Sequence, residues 1–558
     1  MTRLDVPPPR ELPLGTSQPP GDKHAISTSL PTWNSVPGRA LGYKWVTDKL
    51  QSNYPRFGVN PIVQKLASAV LARLDIPSEE NDCLVFPSKD AARRCISFIQ
   101  EHHERSDIQA NMTEFRLPKG PGAGAGDVHG VAPMSNRWAR FYAVVYDVEA
   151  KKVAGHFWSI FGDGLCSRHA EFCLGVWRFM CAYPGTGSLL AEEDQEREAK
   201  AEIKTRIARL VASEDPGLTP PAENDVFLYP KGMCAISAVA RALLPRDELE
   251  ASEAVVFGWP YAETPKCVSQ TGYDRFTLYS QGSVSELDEL ESRLSSGSRI
   301  RVLFCEVPSN PLLRTPDLHR IRSLADKYSF IVVCDETLGT FINIDVLPYS
   351  DVAITSLTKI FNGAGNAMGG SVVVSPESRY YNTIHTKLAA IYEDLLFPAE
   401  ALVLSQNSRD LEERVQQCNS NALALATFLS TQPCIQSVLY PALAATRPLY
   451  ERYRRRDGGH GYVLSILFED PDMAVRFYDV LDMRKGPTVG TNFSLALPYA
   501  YLAHVFDMDW AESQGIPRHI VRISVGLERE EDLILCVSLA LKAAGSGAVN
   551  KGRNTTIN

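Results

Sequence analysis

The hydrophobic pattern changes character along the chain. Residues 61–75 (PIVQKLASAVLARLD) and 90–101 (DAARRCISFIQE) repeat their apolar positions at three and four, which predicts two amphipathic helices. Residues 141–148 (FYAVVYDV) alternate as a strand does. From about residue 226 short apolar runs take over: AVVFG (254–258), IRVLFCEV (300–307), FIVVCD (330–335), DVAIT (351–355) and GSVVVS (370–375). Helical patterns such as PDLHRIRSLADKY (316–328) separate them. Apolar strands with helices between them predict an open, parallel-rich α/β sheet covered on both faces. YVLSILFED (462–470) opens a smaller α+β region that closes with the helix EEDLILCVSLALKAA (530–544).

These changes divide the chain into a proline-rich flexible arm (1–22), an N-terminal segment (23–87), an inserted subdomain (88–225), a large domain (226–400), a small C-terminal domain (401–545) and a flexible tail (546–558). The length, 558 residues, agrees with several domains, since one core stops growing at about 250–300 residues. The glycine-rich stretch 116–131 (RLPKGPGAGAGDVHGV) has neither a dinucleotide nor a P-loop pattern and reads as a connection. A net charge of −9 without a basic stripe argues against nucleic acid as a partner, and no apolar run is long enough to span a membrane. The first twenty residues have no apolar signal core, and the twelve cysteines form no C-x-x-C pair and sit mostly in apolar runs. The expectation is a soluble, cytoplasmic protein with reduced thiols.

In an open parallel sheet, ligands bind beyond the carboxyl ends of the strands. Asp335 follows FIVVC, Lys359 follows DVAIT by way of Ser356 and Thr358, Glu306 ends IRVLFCE, and Tyr261 lies just past AVVFG. A lysine partly withdrawn from water offers a neutral, nucleophilic amine able to form a Schiff base. Asp335 can hold a protonated pyridine nitrogen, Tyr261 can stack on a flat ring, and the helix start after Lys231 (Gly232, Met233) can cradle a phosphate together with Ser356 and Thr358. These are the parts of a pyridoxal 5'-phosphate site.

The blocks YPKGMCAISAVARAL, PYAET, EVPSNP, VVCDET, SLTKIFNGAGNAMGG and VRISVGLEREEDL resemble the Cys/Met-metabolism pyridoxal-phosphate enzymes over residues 226–545. YPRFGVNP (54–61) is similar to the family's Y-x-R-x-x-N-P segment, and HAISTSLPTWNSV with FWSIFGDGLCSRHAEFC resembles the fungal cystathionine γ-synthase-like members. The resemblance implies the fold type I (aspartate-aminotransferase-like) architecture of pyridoxal-phosphate transferases. It makes Lys359 the Schiff-base lysine, Asp335 the partner of the ring nitrogen, and Tyr261 the stacking residue and acid/base helper. Gly232, Met233, Ser356 and Thr358 would hold the phosphate and Asn310 would approach the ring hydroxyl. Arg522 would grip the substrate carboxylate, with Thr488 beside it. Tyr54 and Arg56 would reach the phosphate of a neighbouring subunit, making the catalytic unit a homodimer, commonly paired into a homotetramer in this family.

Three positions depart from the family pattern: Lys231 for the usual Ser, Glu336 for the Asn of D-N-T, and Phe493 where a glutamate near the substrate is common. Phe493 is therefore expected to shape the substrate pocket. Cys166, His169 and Cys173 share one helix face but lack a fourth ligand, so packing is preferred and no metal is expected. The implied reaction is γ-substitution on an O-acyl-L-homoserine, expected to be the acetyl ester, through a vinylglycine-type intermediate with cysteine as nucleophile. A carbon nucleophile such as a β-keto acid enolate, γ-elimination without replacement, and a non-catalytic scaffold of the same fold are the alternatives.

Overall fold

A computed structural model describes residues 7–118, 137–183, 197–245 and 251–546. The glycine-rich stretch beyond residue 118 and the tail from 547 lie outside the described residues.

Seven strands form the large sheet in the spatial order Val226–Tyr229, Gly370–Val374, Val352–Thr355, Ile331–Asp335, Val302–Glu306, Glu253–Phe257 and Arg275–Tyr279. Gly370–Val374 runs against both neighbours, and the other pairings are parallel. Successive side chains on these strands feed two different cores. Val256, Phe304, Val333 and Ile354 pack with the helix Gly232–Ala242. Val255, Leu303, Val332 and Ala353 pack with the helices Val284–Ser295 and Leu318–Tyr328. This two-sided burial is why the strands read as unbroken apolar runs.

The small domain has a five-stranded sheet in the order Ile435–Leu439, Val463–Phe468, Val521–Ser524, Leu495–Pro498 and Arg484–Lys485. Leu411–Ser430, Pro471–Val480 and Glu530–Gly545 supply the helical side of its core. Its middle strand carries Arg522.

A further unit precedes the large sheet. Its antiparallel strands lie in the order Asn81–Phe86, Arg140–Asp147, Ala110–Arg116 and Cys181–Tyr183. Pro61–Arg73, Lys89–His102 and Lys151–Phe161 share its core. Asn60 caps the first of these helices by accepting from Ile62 N, with Pro61 at the position where a missing N–H costs nothing. Asn81–Phe86 pairs along its length with Arg140–Asp147, so one sheet straddles the boundary expected at 87/88.

The expectation of a loose arm over 1–22 is corrected for its described part. Ser17–Gln18 pairs with Ser27–Thr28, Gln18 Nε2 donates to Lys485 O at 3.0 Å, and the buried Lys485 Nζ donates to Glu11 Oε2 at 2.5 Å. Proline removes backbone donors, but the polar residues between the prolines find fixed partners in the small domain. No helix among the described residues is long and apolar enough to cross a membrane.

Candidate active site

The parallel strands deliver their ends to one cleft. Asp335 and Glu306 close adjacent strands and stand in register as partners. Lys359 sits in the turn beyond Val352–Thr355, and Gly232 starts the helix after Val226–Tyr229. Two glycines are required here by close approach. A Cβ on Gly232 would lie 2.9 Å from Ser356 Cβ and Oγ. Gly490 has φ +72°, and a Cβ there would lie 2.5 Å from Ile360 N, so the small domain reaches the Lys359 turn only through glycine.

Lys359 Nζ donates to Tyr54 Oη at 2.8 Å and to Thr488 Oγ1 at 3.3 Å. Asp335 Oδ1 accepts from Thr337 N at 2.9 Å. Arg522 is buried, donates to Asn310 Oδ1 at 3.0 Å and to Pro487 O at 2.9 Å, and lies 5.2 Å from the centre of the Tyr499 ring. Arg56 pairs with the buried Glu263 at 2.6 Å, donates to Ala503 O at 3.1 Å and lies 5.5 Å from the centre of the Tyr261 ring.

Electrostatics separates the groups by role. Burial alone would push the Tyr54 phenol up, but the Lys359 ammonium and Arg522 hold it below its ordinary value. Tyr261 is pushed well up by burial and by its hydrogen-bonded neighbour Tyr54. One phenol is thus biased towards ionisation and the other kept neutral, a division that suits proton transfer between acid and base. Burial also lifts the Asp335 carboxyl, partly opposed by Thr337 and Lys359. Glu306 is raised well above the carboxylate range by burial and by Asp335, while its Oε2 accepts from Tyr261 N at 2.6 Å. Burial thus disfavours charge on both carboxyls, the more so on Glu306, and a cation facing Asp335 would offset that cost.

Glu336 supplies a stability test. Its buried carboxyl is pushed up to about 8, its Oε2 has no hydrogen-bond partner, and Oε1 accepts only a long bond from Thr355 Oγ1 at 3.4 Å. The folded chain holds a proton that the unfolded chain releases near its ordinary value of 4.5, so stability falls as pH rises from about 4.5 to about 8. Glu336→Gln is expected to flatten that fall and raise Tm at the alkaline end, a change of order a few kcal/mol. Thermal melts across the window check it, and an unaltered slope would count against the assignment.

The cleft gathers most of the residues singled out from the sequence: Lys359, Asp335, Tyr261, Gly232, Met233, Asn310, Ser356, Thr358, Arg522, Tyr54 and Arg56. Thr488 touches Lys359. Phe493 does not line the cleft: its ring lies 4.0 Å from the Arg484 guanidinium and its backbone closes against Gly526. Tyr54 and Arg56 line the cleft of the described chain, where Trp158 Nε1 donates to Pro55 O at 3.2 Å and Glu263 pairs with Arg56. Trp158, Gly162 and Tyr499 also line the cleft and were not among the predicted site residues, while Glu306, read as a strand-end group, lines it as well. FWSIFGDGLCSRHAEFC contains two of them, but nothing local in LPYAY marks Tyr499. His169 is buried, held neutral with its value lowered to about 4, hydrogen-bonded through Nε2 to Trp138 O at 2.8 Å and stacked on Phe397.

The residues fit pyridoxal 5'-phosphate. The N–H groups of Gly232 and Met233 at a helix start with the hydroxyls of Ser356 and Thr358 suit a phosphate, Tyr261 offers a ring face, the half-buried Asp335 suits a pyridinium, and Lys359 suits an aldehyde. The fold and site together define a pyridoxal-phosphate enzyme of fold type I.

The comparisons place it further. The model of Cys/Met metabolism PLP-dependent enzymes matches residues 222–542, and that of the fungal trans-sulfuration enzyme N-terminal domain matches 62–166. The chain is 48% identical to the cystathionine gamma-synthase-like protein ankD of Aspergillus thermomutatus, over 95% of this chain and 94% of that protein. It is 34% identical to the cystathionine gamma-synthase of Neurospora crassa, over 95% and 98%. A solved cystathionine gamma synthase of Xanthomonas oryzae in complex with cystathionine matches in fold with TM-score 0.54 and 22% identity, over 65% of this chain and 90% of that one. The protein belongs to the Cys/Met-metabolism family of pyridoxal-phosphate-dependent enzymes and is cystathionine γ-synthase-like.

Proposed function

We propose that this enzyme catalyses γ-substitution on an O-acyl-L-homoserine, with cysteine as the nucleophile and cystathionine as the product. The observation that carries the reading is that Lys359 and Arg522 share one cleft, the first suited to the amino end of an α-amino acid and the second to its carboxylate. Pyridoxal phosphate, when bound, supplies a carbonyl for the substrate amine and a ring that takes up the electron pair left at Cα. Arg522, held by Asn310 and Pro487, presents its guanidinium fork to the α-carboxylate. Lys359 Nζ carries the Cα proton, and Tyr54 Oη, 2.8 Å away, orients it. A second proton leaves Cβ as the acyloxy group departs from Cγ. The nucleophile adds at Cγ and the protons return, with Tyr261 kept neutral as a donor.

A carbon nucleophile is the second reading, favoured by the wall of the cleft. Val489, Leu497, Leu502 and Met368 contribute apolar surface to the cleft, and Arg56 is already paired with Glu263. A second zwitterionic amino acid would find few free charges there, whereas an enolate with an apolar chain would find cover. Mass spectrometry of products from O-acetyl-L-homoserine with cysteine, sulfide or acetoacetate tests both. Cystathionine as the main product supports the first reading, a carbon–carbon adduct supports the second, and 2-oxobutanoate with ammonia alone overturns substitution.

A further inference from the structure

Three phenols, Tyr54, Tyr261 and Tyr499, stand around the two guanidiniums of the cleft, Arg56 and Arg522. Tyr54 Oη accepts from Lys359 Nζ at 2.8 Å and is hydrogen-bonded to Tyr261, so two of the three are partnered. Tyr499 is 3% exposed, and its Oη is buried with no hydrogen-bond partner among the described residues. A buried hydroxyl in that state has given up water for nothing, unless a ligand supplies its acceptor.

Local structure fixes where this residue can act. Tyr499 directly follows the strand Leu495–Pro498, which pairs antiparallel with Val521–Ser524, the strand that carries Arg522. Tyr499 belongs to a buried apolar cluster with Trp259, Leu312 and Ile520, and its N donates to Ile520 O at 3.2 Å. The Arg522 guanidinium lies 5.2 Å from the centre of the Tyr499 ring. Burial pushes the phenol up to about 12, against the pull of Arg56 and Arg522 and with the push of Glu306 and Glu263, so near neutral pH it is an uncharged donor. The acceptor that suits it is an anionic oxygen drawn to the same guanidinium.

We infer that Tyr499 is a further substrate-binding residue: its unpartnered hydroxyl donates to the α-carboxylate of the amino acid that Arg522 holds. Arg522 already gives one donor to Asn310 Oδ1 and another to Pro487 O, and a carboxylate accepts at two oxygens, so a second, neutral donor has a place beside the guanidinium. The inference rests on the proposed reading of the cleft and deepens it. It adds to charge attraction a hydrogen bond that an amine without a carboxylate cannot accept.

Tyr499→Phe removes the oxygen and keeps the ring beside Arg522. In the full-length holoenzyme, the change in visible absorbance reports binding of L-homoserine and of 3-aminopropan-1-ol, the same molecule without its carboxylate. The variant is expected to bind L-homoserine about 10- to 100-fold more weakly, the scale of one hydrogen bond to a charged group, and 3-aminopropan-1-ol as the parent does. Its Tm without ligand is expected to match or exceed the parent's, because only an unpaired buried hydroxyl is lost. Unchanged affinity for L-homoserine, or equal weakening of both ligands, would overturn the inference and leave the cofactor cleft standing. Unchanged affinity together with loss of cofactor on gel filtration would put the hydroxyl on the phosphate instead. A parent enzyme whose absorbance answers neither ligand would overturn the reading of the cleft, and the inference with it.

Discussion

Lys359→Ala is expected to lower turnover by at least about 10³-fold, since it removes both a covalent attachment point and a proton carrier, each worth orders of magnitude. The same change is expected to abolish the visible absorbance of lysine-bound pyridoxal. Lys359 Nζ contacts the Tyr54 and Thr488 hydroxyls, which keep their other surroundings when the side chain is shortened, so the fold is expected to persist. Absorbance spectra with circular dichroism separate loss of the amine from loss of structure. A folded variant that keeps both colour and turnover would remove Lys359 from the chemistry.

Asp335→Asn is expected to lower turnover by about 10²–10³-fold and to weaken cofactor retention, the scale of losing one preorganised electrostatic partner. Burial lifts the Asp335 carboxyl, and Thr337 and Lys359 only partly offset this, so a carboxylate here is costly until a cation faces it. A protonated ring nitrogen is such a cation. The amide keeps the shape and the acceptor for Thr337 N but not the charge, so its loss should appear in kcat more than in KM. Equal kcat for Asp335→Asn and the parent would show that the ring does not rely on this residue.

Much of this was legible along the chain. Lys359, Asp335, Glu306 and Tyr261 stand just past apolar runs that became parallel strands, so the rule of strand ends brought them together without coordinates. Gly232 could be read for the same reason, because a strand followed by a helix start is a local pattern. Phe493, expected from the resemblance to shape the substrate pocket, packs against the Arg484 guanidinium, and no local pattern encodes that ring direction. The polar residues of the arm were misjudged because proline content reports on local stiffness and not on distant partners such as Lys485.

Periodicity and strand-end chemistry alone therefore determined the class of sheet, the cofactor and the central lysine–aspartate pair, since each depends on residues near in sequence or on an alternation that one strand imposes. Tertiary structure alone decided that Tyr54 Oη meets Lys359 Nζ and that Trp158 and Tyr499 line the cleft. Those outcomes depend on contacts between segments hundreds of residues apart, whose geometry is settled by packing and by the pairing of buried charge, and no local pattern encodes them.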